Sequence, residues 1–256
     1  TVCFEGPAEK LTETRFCQVA IYTMSCAALE AFREKYPEIK PLGCAGLSLG
    51  EYGALYAAGA FTFAAGLRLL AKRAELMDEA CRATVGGMAS VLGGDVAVIR
   101  EVAAECGIDV ANYNNPGQIV ISGEKAKVAA AVEALKARGM RKVIELNVAG
   151  AFHSRLMAGA GEALRPVLAA AELKLPAVPV YHNFSAAPAA SVGELRENLA
   201  RQVAGSVRWE ECVRALAAAG GDTMIEFGPG NVLTGLMRRT IAEVKTFNVN
   251  STETLN

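Results

Sequence analysis

Gly46-Leu47-Ser48-Leu49-Gly50 decides the fold, because this G-x-S-x-G pattern joins a short apolar run at 42–45 to a helix-like stretch at 51–60. The two glycines allow a sharp turn from strand to helix, which lifts the serine side chain clear of the backbone. The N-terminus of the helix behind the turn stabilises negative charge that develops there. The pattern predicts an α/β fold with Ser48 as a nucleophile. A plain tight turn is the alternative for the pentapeptide taken alone.

Composition bounds the size of the protein and its class of partner. The 256 residues are 52% apolar, which is enough for one large core and a smaller second domain. The formal net charge is -1, from 26 basic and 27 acidic residues, so no overall field favours nucleic acid or an anionic membrane. No apolar run reaches the roughly 18 residues that cross a bilayer. We therefore expect neither a nucleic-acid nor a membrane partner.

The cysteines and the first residues indicate where the protein works. Seven cysteines are scattered without a C-x-x-C pair, so neither a disulfide framework nor a zinc site is expected. Residues 1–10 lack the basic and apolar regions of a signal peptide. These features predict a cytoplasmic protein. The missing initiator methionine and the acidic first segment also predict that the chain begins inside a longer protein.

The pattern of predicted elements changes near residue 86 and changes back near residue 149. Apolar spacing from Phe16 to Ala31 predicts a helix before the serine turn. Between the two boundaries the order is βαββαβ, which is typical of a ferredoxin-like unit. We therefore predict an α/β-hydrolase-like large domain with an inserted ferredoxin-like small domain, the large domain comprising residues 1–85 and 149–256 and the small one residues 86–148.

A serine hydroxyl needs a base within hydrogen-bond reach, usually a histidine. The chain has two, His153 and His182. His153 lies just before a predicted helix, where a side chain can face a cleft, whereas His182 lies inside a predicted strand. His153 is therefore the favoured base, with a helix-capping imidazole as the alternative. No nearby carboxylate completes a triad in the sequence, so a backbone carbonyl is expected to orient the imidazole.

Six sequence blocks occur in an order that resembles one enzyme family. They are GLSLGE (46–51), KRAELM (72–77), NYNNPGQ (112–118), GAFHS (150–154), SVRW (206–209) and EFGPG (226–230). Together they resemble the malonyl-CoA:acyl-carrier-protein transacylase family of bacterial fatty-acid synthesis, from about Thr12 to the C-terminus. Six ordered blocks are far more specific than one serine motif.

The resemblance implies a role for each residue at a matching position. Ser48 is then the nucleophile and His153 its base, in a dyad without an acidic third member. The backbone carbonyl of Gln202 is expected to hold the imidazole. The backbone N–H of Leu49, directly after the nucleophile, is expected to donate to the oxyanion.

The resemblance also implies residues that recognise the substrate. Arg73 is expected to pair with the free carboxylate of malonate, because a guanidinium binds a carboxylate bidentately. Without the resemblance, the alternative for Arg73 is a solvated helix residue. Met77, one helical turn on, is expected to line the acyl pocket, with a core position as the alternative. Asn115 and Gln118 are expected near the cleft, or are plain turn residues.

Two arginines on the last predicted helix are implied to meet the carrier protein. Arg238 and Arg239 occupy positions where the family contacts its acidic partner, with a solvated helix end as the alternative. The chain departs from the family at Leu47, where the family usually has histidine. The family's opening strand and its G-Q-G segment, whose glutamine completes the oxyanion hole, have no match within residues 1–256. Losing one oxyanion donor costs about 100- to 1,000-fold in rate.

The implied activity is transfer of a malonyl group from malonyl-CoA to the phosphopantetheine thiol of acyl carrier protein through a malonyl-serine. No metal or redox cofactor is implied, and malonyl-CoA is a substrate. Two alternatives stay open: a serine thioesterase or hydrolase, and a non-catalytic docking module for a carrier protein. The sequence leaves open whether the pathway makes fatty acids or polyketides, how strictly malonyl is selected, and the oligomeric state.

Overall fold

The structure is a computed structural model that describes residues 2–255. The helices in this part of the chain are α1 (Val2–Glu5), α2 (Ala8–Thr12), α3 (Thr14–Lys35), α4 (Gly50–Ala57), α5 (Phe63–Ala83), α6 (Val96–Glu105), α7 (Lys125–Ala137), α8 (Ala158–Ala170), α9 (Val192–Gln202), α10 (Trp209–Ala218), α11 (Val232–Thr240) and α12 (Thr252–Leu255). The strands are β1 (Cys44–Ala45), β2 (Gly86–Leu92), β3 (Asp109–Asn115), β4 (Gln118–Glu124), β5 (Lys142–Leu146), β6 (Val180–Tyr181), β7 (Thr223–Phe227) and β8 (Lys245–Val249). A short 3₁₀ turn, Arg155–Met157, precedes α8.

An antiparallel sheet of four strands forms the middle of the chain. Its spatial order is β3-β4-β2-β5, and Met88 of β2 pairs with Ser122 on β4 and with Leu146 on β5. Helices α6 and α7 share a core with the sheet, because their apolar positions and those of the strands face each other. The elements follow in the order βαββαβ that the sequence pattern predicts.

A second core is mainly helical and surrounds α4 and α5. Helix α5 packs against α3 and α8, and α8 packs against α9. Fully buried side chains from these helices meet in one cluster, among them Tyr22, Leu55, Leu70, Leu164 and Leu195. Burial of each such side chain contributes about 1.5 to 3 kcal/mol, so this cluster holds α4 and α5 in place behind the serine turn.

Two pairs of parallel strands complete the structure. β1 pairs with β6, and β7 pairs with β8. β1 and β6 are only two residues long. The chain turns at Gly46 directly after β1, and shortly after β6 the backbone N–H of Asn183 donates to the Glu51 side chain. The short β1–β6 pair therefore brings Ser48 and Asn183 to the same end of two neighbouring parallel strands. None of the helices within residues 2–255 has the length and apolar character that a membrane span needs.

Candidate active site

Ser48 lies in a strained turn between β1 and α4. Its φ is +53°, in the left-handed region that non-glycine residues adopt at a cost of about 1 to 3 kcal/mol. Hydrogen bonds hold it on both sides: the backbone N–H of Ser48 donates to Asn183 Oδ1 at 2.5 Å, and the Ser48 carbonyl accepts from Gln202 Nε2 at 2.9 Å. Gly46 is required in this turn, because a Cβ there would overlap the Gly50 carbonyl.

His153 contacts the serine hydroxyl and a backbone carbonyl at the same time. Its Nε2 lies 2.8 Å from Ser48 Oγ, and its Nδ1 lies 2.8 Å from the Gln202 carbonyl oxygen. Because a carbonyl only accepts, Nδ1 carries the proton, and Nε2 is free to accept from the serine. The backbone of His153, like that of Ser48, is left-handed, with a φ of +55°. The structure thus joins the two residues that the sequence predicts as nucleophile and base.

Burial sets the protonation of this histidine. The imidazole is 4% exposed. Desolvation, assisted by the positive charge of Arg73, lowers the pKa of His153 to about 4, against the two backbone carbonyls that raise it. The imidazole is therefore neutral at pH 7. A neutral imidazole with a bare Nε2 is the form that accepts a proton from a serine.

Arg73 reaches the serine from α5 and is almost completely buried, not solvated. Its Nη2 donates to Ser48 Oγ at 3.0 Å and to Gln202 Oε1 at 2.9 Å, and its Nη1 donates to the side-chain oxygen of Gln18. Its buried Nε has no hydrogen-bond partner among residues 2–255. Desolvation lowers the pKa of Arg73 from its usual value. The cation therefore lies beside the hydroxyl with one donor unsatisfied.

Met77 and Leu49 lie close to this cluster. Met77 is 2% exposed, and its sulfur accepts from Gln18 Nε2 at 3.6 Å, so it shares a neighbour with Arg73. Leu49 precedes the first residue of α4, and no hydrogen bond between described residues uses its N–H. An acyl pocket at Met77 and an oxyanion donor at Leu49 stay predictions.

The other predicted contacts lie apart from the cluster. Asn115 and Gln118 flank the β3–β4 turn, where Asn115 Oδ1 accepts from the Gly117 N–H at 2.8 Å and Gln118 Nε2 donates to Ser90 Oγ at 3.3 Å. No hydrogen bond among residues 2–255 joins either side chain to Ser48. Their role near the cleft stays a prediction.

Arg238 and Arg239 are exposed in the last turn of α11, as the sequence predicts. Arg238 Nε donates to Thr246 Oγ1 at 2.9 Å. Their exposure leaves both guanidinium groups accessible to a protein partner. Contact with a carrier protein stays a prediction.

Sequence reasoning missed several polar side chains behind the serine. Gln18 lies on the buried face of α3 with Tyr22 and Cys26, each four residues from the next. A glutamine in an apolar stripe of this spacing is a signal of a buried polar contact. Glu51 and the Gln202 side chain were also missed, although Glu51 ends the GLSLGE block and the backbone carbonyl of Gln202 was itself predicted to hold the imidazole.

A cavity of about 450 Å³ reaches His153 from the side of β3 and α6. Its walls include Tyr113, Arg155 and Phe184, and residues 204–206 close one side. The lining includes His153 but neither Ser48 nor Arg73. Within residues 2–255 no group of three or more His, Cys, Asp or Glu side chains is arranged to hold a metal ion.

Comparison with known proteins gives the class to which this fold and site belong. The model of the acyl transferase domain matches residues 1–254, and the chain belongs to that family. The malonyl CoA-acyl carrier protein transacylase of Bacillus subtilis is 43% identical over 260 residues, which cover 100% of this chain and 81% of that protein.

Solved structures agree with this family. The malonyl-CoA:acyl carrier protein transacylase of Xanthomonas oryzae has a TM-score of 0.93 at 36% identity, covering 97% of this chain and 80% of that one. A malonyl-transacylase solved in complex with its type II PKS acyl-carrier protein has a TM-score of 0.94 at 36% identity, covering 98% of this chain and 82% of that one. The α/β fold is therefore that of solved transacylases.

Proposed function

We propose that this acyltransferase moves a malonyl group from malonyl-CoA to the phosphopantetheine thiol of an acyl carrier protein. The observation that carries the proposal is the 2.8 Å contact between Ser48 Oγ and His153 Nε2 in a chain of the acyl transferase family. The similar proteins named above are malonyl transacylases, and one of them was solved with its carrier protein. Both fatty-acid and polyketide pathways are compatible with these relatives.

The first half-reaction forms a malonyl-serine. His153 Nε2 takes the proton of Ser48 as Oγ attacks the thioester carbonyl carbon, and the carbonyl oxygen becomes an oxyanion. The Leu49 N–H donates to that oxyanion. The intermediate collapses as the carbon–sulfur bond breaks, and CoA leaves as a thiol with the proton from His153. The Gln202 carbonyl holds the imidazole throughout by accepting from Nδ1 at 2.8 Å.

The second half-reaction repeats these steps with a different thiol. His153 takes the proton of the phosphopantetheine thiol as its sulfur attacks the malonyl-serine carbonyl carbon. Collapse breaks the bond to Ser48 Oγ, which recovers the proton from the imidazole. Each half-reaction converts a thioester into a serine ester or the reverse, and moves one proton through His153 from the attacking group to the leaving group. The chemistry therefore requires neither a metal nor a redox cofactor.

Arg73 is proposed to bind the free carboxylate of the malonyl group. Its buried Nε–H has no partner among the described residues, and its Nη2 lies 3.0 Å from the hydroxyl that becomes acylated. The Nε–H is therefore the donor left for a carboxylate close to Ser48, and a bidentate pair forms when the carboxylate also takes the Nη2–H that contacts the serine hydroxyl. Met77 is proposed to line the pocket beside it, with Asn115 and Gln118 near the cleft.

Three further features belong to this proposal. Residues 1–85 and 149–256 form the α/β-hydrolase-like domain and residues 86–148 the inserted ferredoxin-like domain, which is supported by the separate cores of the helical and antiparallel regions. Arg238 and Arg239 contact the acidic carrier protein. The compartment is the cytoplasm, in keeping with free thiols at all seven cysteines.

A chase experiment tests the proposal against its alternatives. The protein is loaded with radiolabelled malonyl-CoA, freed of excess label, and then mixed with phosphopantetheinylated acyl carrier protein. We expect a stable labelled chain that passes its label to the carrier. Steady release of free malonate without the carrier would identify a hydrolase instead. A chain that takes no label but binds the carrier would identify a docking module.

A further inference from the structure

A buried carboxylate behind the serine is not used by the proposed chemistry. Glu51, in the first turn of α4, is 0% exposed, and three donors converge on it. Its Oε1 lies 2.6 Å from His182 Nδ1, and its Oε2 accepts from the Asn183 N–H at 2.9 Å and from Gln202 Nε2 at 2.8 Å. Because a carboxylate oxygen only accepts, Nδ1 of His182 carries a proton.

The Gln202 side chain connects this carboxylate to the reacting groups. Its Nε2 donates to Glu51 Oε2 and also to the Ser48 carbonyl at 2.9 Å. Its Oε1 accepts from Arg73 Nη2 at 2.9 Å. The amide has only one orientation that satisfies all three partners, since the opposite orientation would turn the NH₂ group toward the guanidinium and the oxygen toward the carboxylate.

Asn183 forms a second connection from Glu51 to the same turn. Its backbone N–H donates to Glu51, while its side chain accepts from the Ser48 N–H at 2.5 Å and donates to the Gly46 carbonyl at 2.7 Å. The backbone groups of the strained serine turn are therefore held by two side-chain amides. One carboxylate contacts both residues that supply them.

We propose that Glu51 is a positioning residue, whose carboxylate fixes the Gln202 amide so that it holds the backbone of Ser48 and aims Arg73 at the acyl group. The inference rests on the proposed function, since it gives Glu51 an effect on malonyl recognition. Glu51 itself touches neither Ser48 Oγ nor His153 in a hydrogen bond among residues 2–255.

Replacing Glu51 by glutamine tests this role, because the substitution preserves the shape of the side chain and changes its hydrogen bonding. In Glu51→Gln, the new NH₂ group faces either the His182 Nδ1–H or both donors at the other oxygen, the Asn183 N–H and Gln202 Nε2. His182 can relieve that conflict only by moving its proton to Nε2, for which residues 2–255 provide no acceptor. At the other position the Asn183 backbone N–H cannot turn away, so the Gln202 amide is the group that rotates, and its rotation breaks the contact with Arg73.

The experiment measures the rates at which malonyl-CoA and acetyl-CoA acylate Ser48, by rapid quench and mass spectrometry of the intact chain. Glu51→Gln should lower the malonyl-to-acetyl rate ratio by about 10- to 100-fold, the effect of losing one hydrogen bond to a charged group. The control is Glu75→Gln, a partly exposed glutamate on α5 paired with Lys72, which should leave the ratio unchanged.

A double-variant cycle separates positioning from general stability. Gln202→Met removes the amide but keeps the backbone carbonyl that His153 contacts, so it should lower the ratio by a similar factor. Adding Glu51→Gln to Gln202→Met should then change the ratio by less than about 2-fold, since the connecting group is already gone. An unchanged ratio in either single variant, or full multiplication of the two effects, would overturn the proposal.

The two proposals fail in different ways. A wild-type chain that acquires no malonyl group refutes the proposed function and the inference that rests on it. A wild-type chain that acquires it, with variants of unchanged ratio, refutes the inference alone. If Glu51→Gln does not fold, Glu51→Asp, which keeps the charge and draws the carboxylate back from Gln202, takes its place in the same cycle with the same expected outcomes.

Discussion

Replacing Arg73 by alanine should remove the preference of Ser48 for malonyl-CoA over acetyl-CoA. Malonyl differs from acetyl by a carboxylate, and the buried guanidinium of Arg73 lies 3.0 Å from the hydroxyl that is acylated. A hydrogen bond to a charged group contributes about 1.5 to 3 kcal/mol, so a bidentate pair contributes about 3 to 6 kcal/mol before desolvation. Arg73→Ala should therefore lower malonyl transfer by at least about 100-fold.

The acetyl rate distinguishes this loss from general damage. Acetyl-CoA has no carboxylate to lose, so its rate should fall by a smaller factor than the malonyl rate, because only the contacts of Arg73 to Ser48 and Gln202 are lost. Arg73→Lys retains the charge but not the bidentate geometry, so it should lie between wild type and alanine. The matched control is Arg68→Ala, an exposed arginine on the same helix.

A competition assay with both thioesters, each at equal concentration and with a different isotope label, gives the ratio directly. Thermal unfolding of each variant reports whether the fold survives the loss of the buried guanidinium. If Arg73→Ala folds and still prefers malonyl-CoA by the wild-type factor, the carboxylate is bound elsewhere and the assignment of Arg73 is wrong.

Three other predictions follow from the geometry. The rate of Ser48 acylation should stay constant from pH 7 to about pH 5 and fall with a midpoint near 4, because the base form of His153 persists above its lowered pKa of about 4; a midpoint near 6.5 in a pH–rate profile would contradict this. The lowered pKa of His153 also makes the folded state less stable in acid, because the unfolded chain takes up the proton first. The stabilisation by neutral His153 is complete above pH 6.5 and is lost as the pH falls toward 4. Between those pH values the free energy of unfolding, measured by urea denaturation, should fall by up to about 3 kcal/mol more in wild type than in His153→Asn. Gly46→Ala should destabilise the chain by about 1 to 3 kcal/mol, because its Cβ would overlap the Gly50 carbonyl. Gly53→Ala in α4, where a Cβ meets no atom within 4 Å, should instead stabilise the chain by about 0.5 to 1 kcal/mol. Equal effects of the two substitutions would show that the turn does not require glycine at position 46.

The contact between Ser48 and His153 could be predicted because local rules specify the candidates for it. The G-x-S-x-G turn requires only neighbouring residues, and with two histidines in the chain the choice of base was small. The βαββαβ region was predictable for the same reason: Asp95 caps α6 by accepting from the Ala97 N–H, and Lys125–Ala137 is helical as its apolar period indicates.

The surroundings of Arg73 were not predictable from local pattern. An arginine in a helix is usually solvated, and its burial depends on Gln18, which lies 55 residues away on α3. Apolar spacing in α3 begins from Phe16, but the buried positions observed include Gln18, Tyr22 and Cys26. A buried glutamine is favoured only once a partner is present, and that partner belongs to another helix.

The network of Glu51 illustrates the same limit over a longer distance. His182 is 131 residues from Glu51 in sequence, and the two meet only after β1 and β6 have paired. His182 was expected inside a strand, whereas β6 ends at Tyr181 and the His182 side chain is fully buried; no periodic signal identified its partner. Hydrogen-bonded side chains of this kind depend on tertiary packing, which composition and period do not encode.

The central claim is that Ser48 and His153 act as one unit. Its most direct measurement is rapid-quench acylation by malonyl-CoA, followed by peptide mapping, in wild type, Ser48→Ala, His153→Ala and the double variant. The account predicts a malonyl group on the peptide that contains residues 46–50 in wild type, none on Ser48→Ala, and a rate at least about 1,000-fold lower in His153→Ala. A malonyl group at another residue, or a wild-type rate without the imidazole, would contradict it.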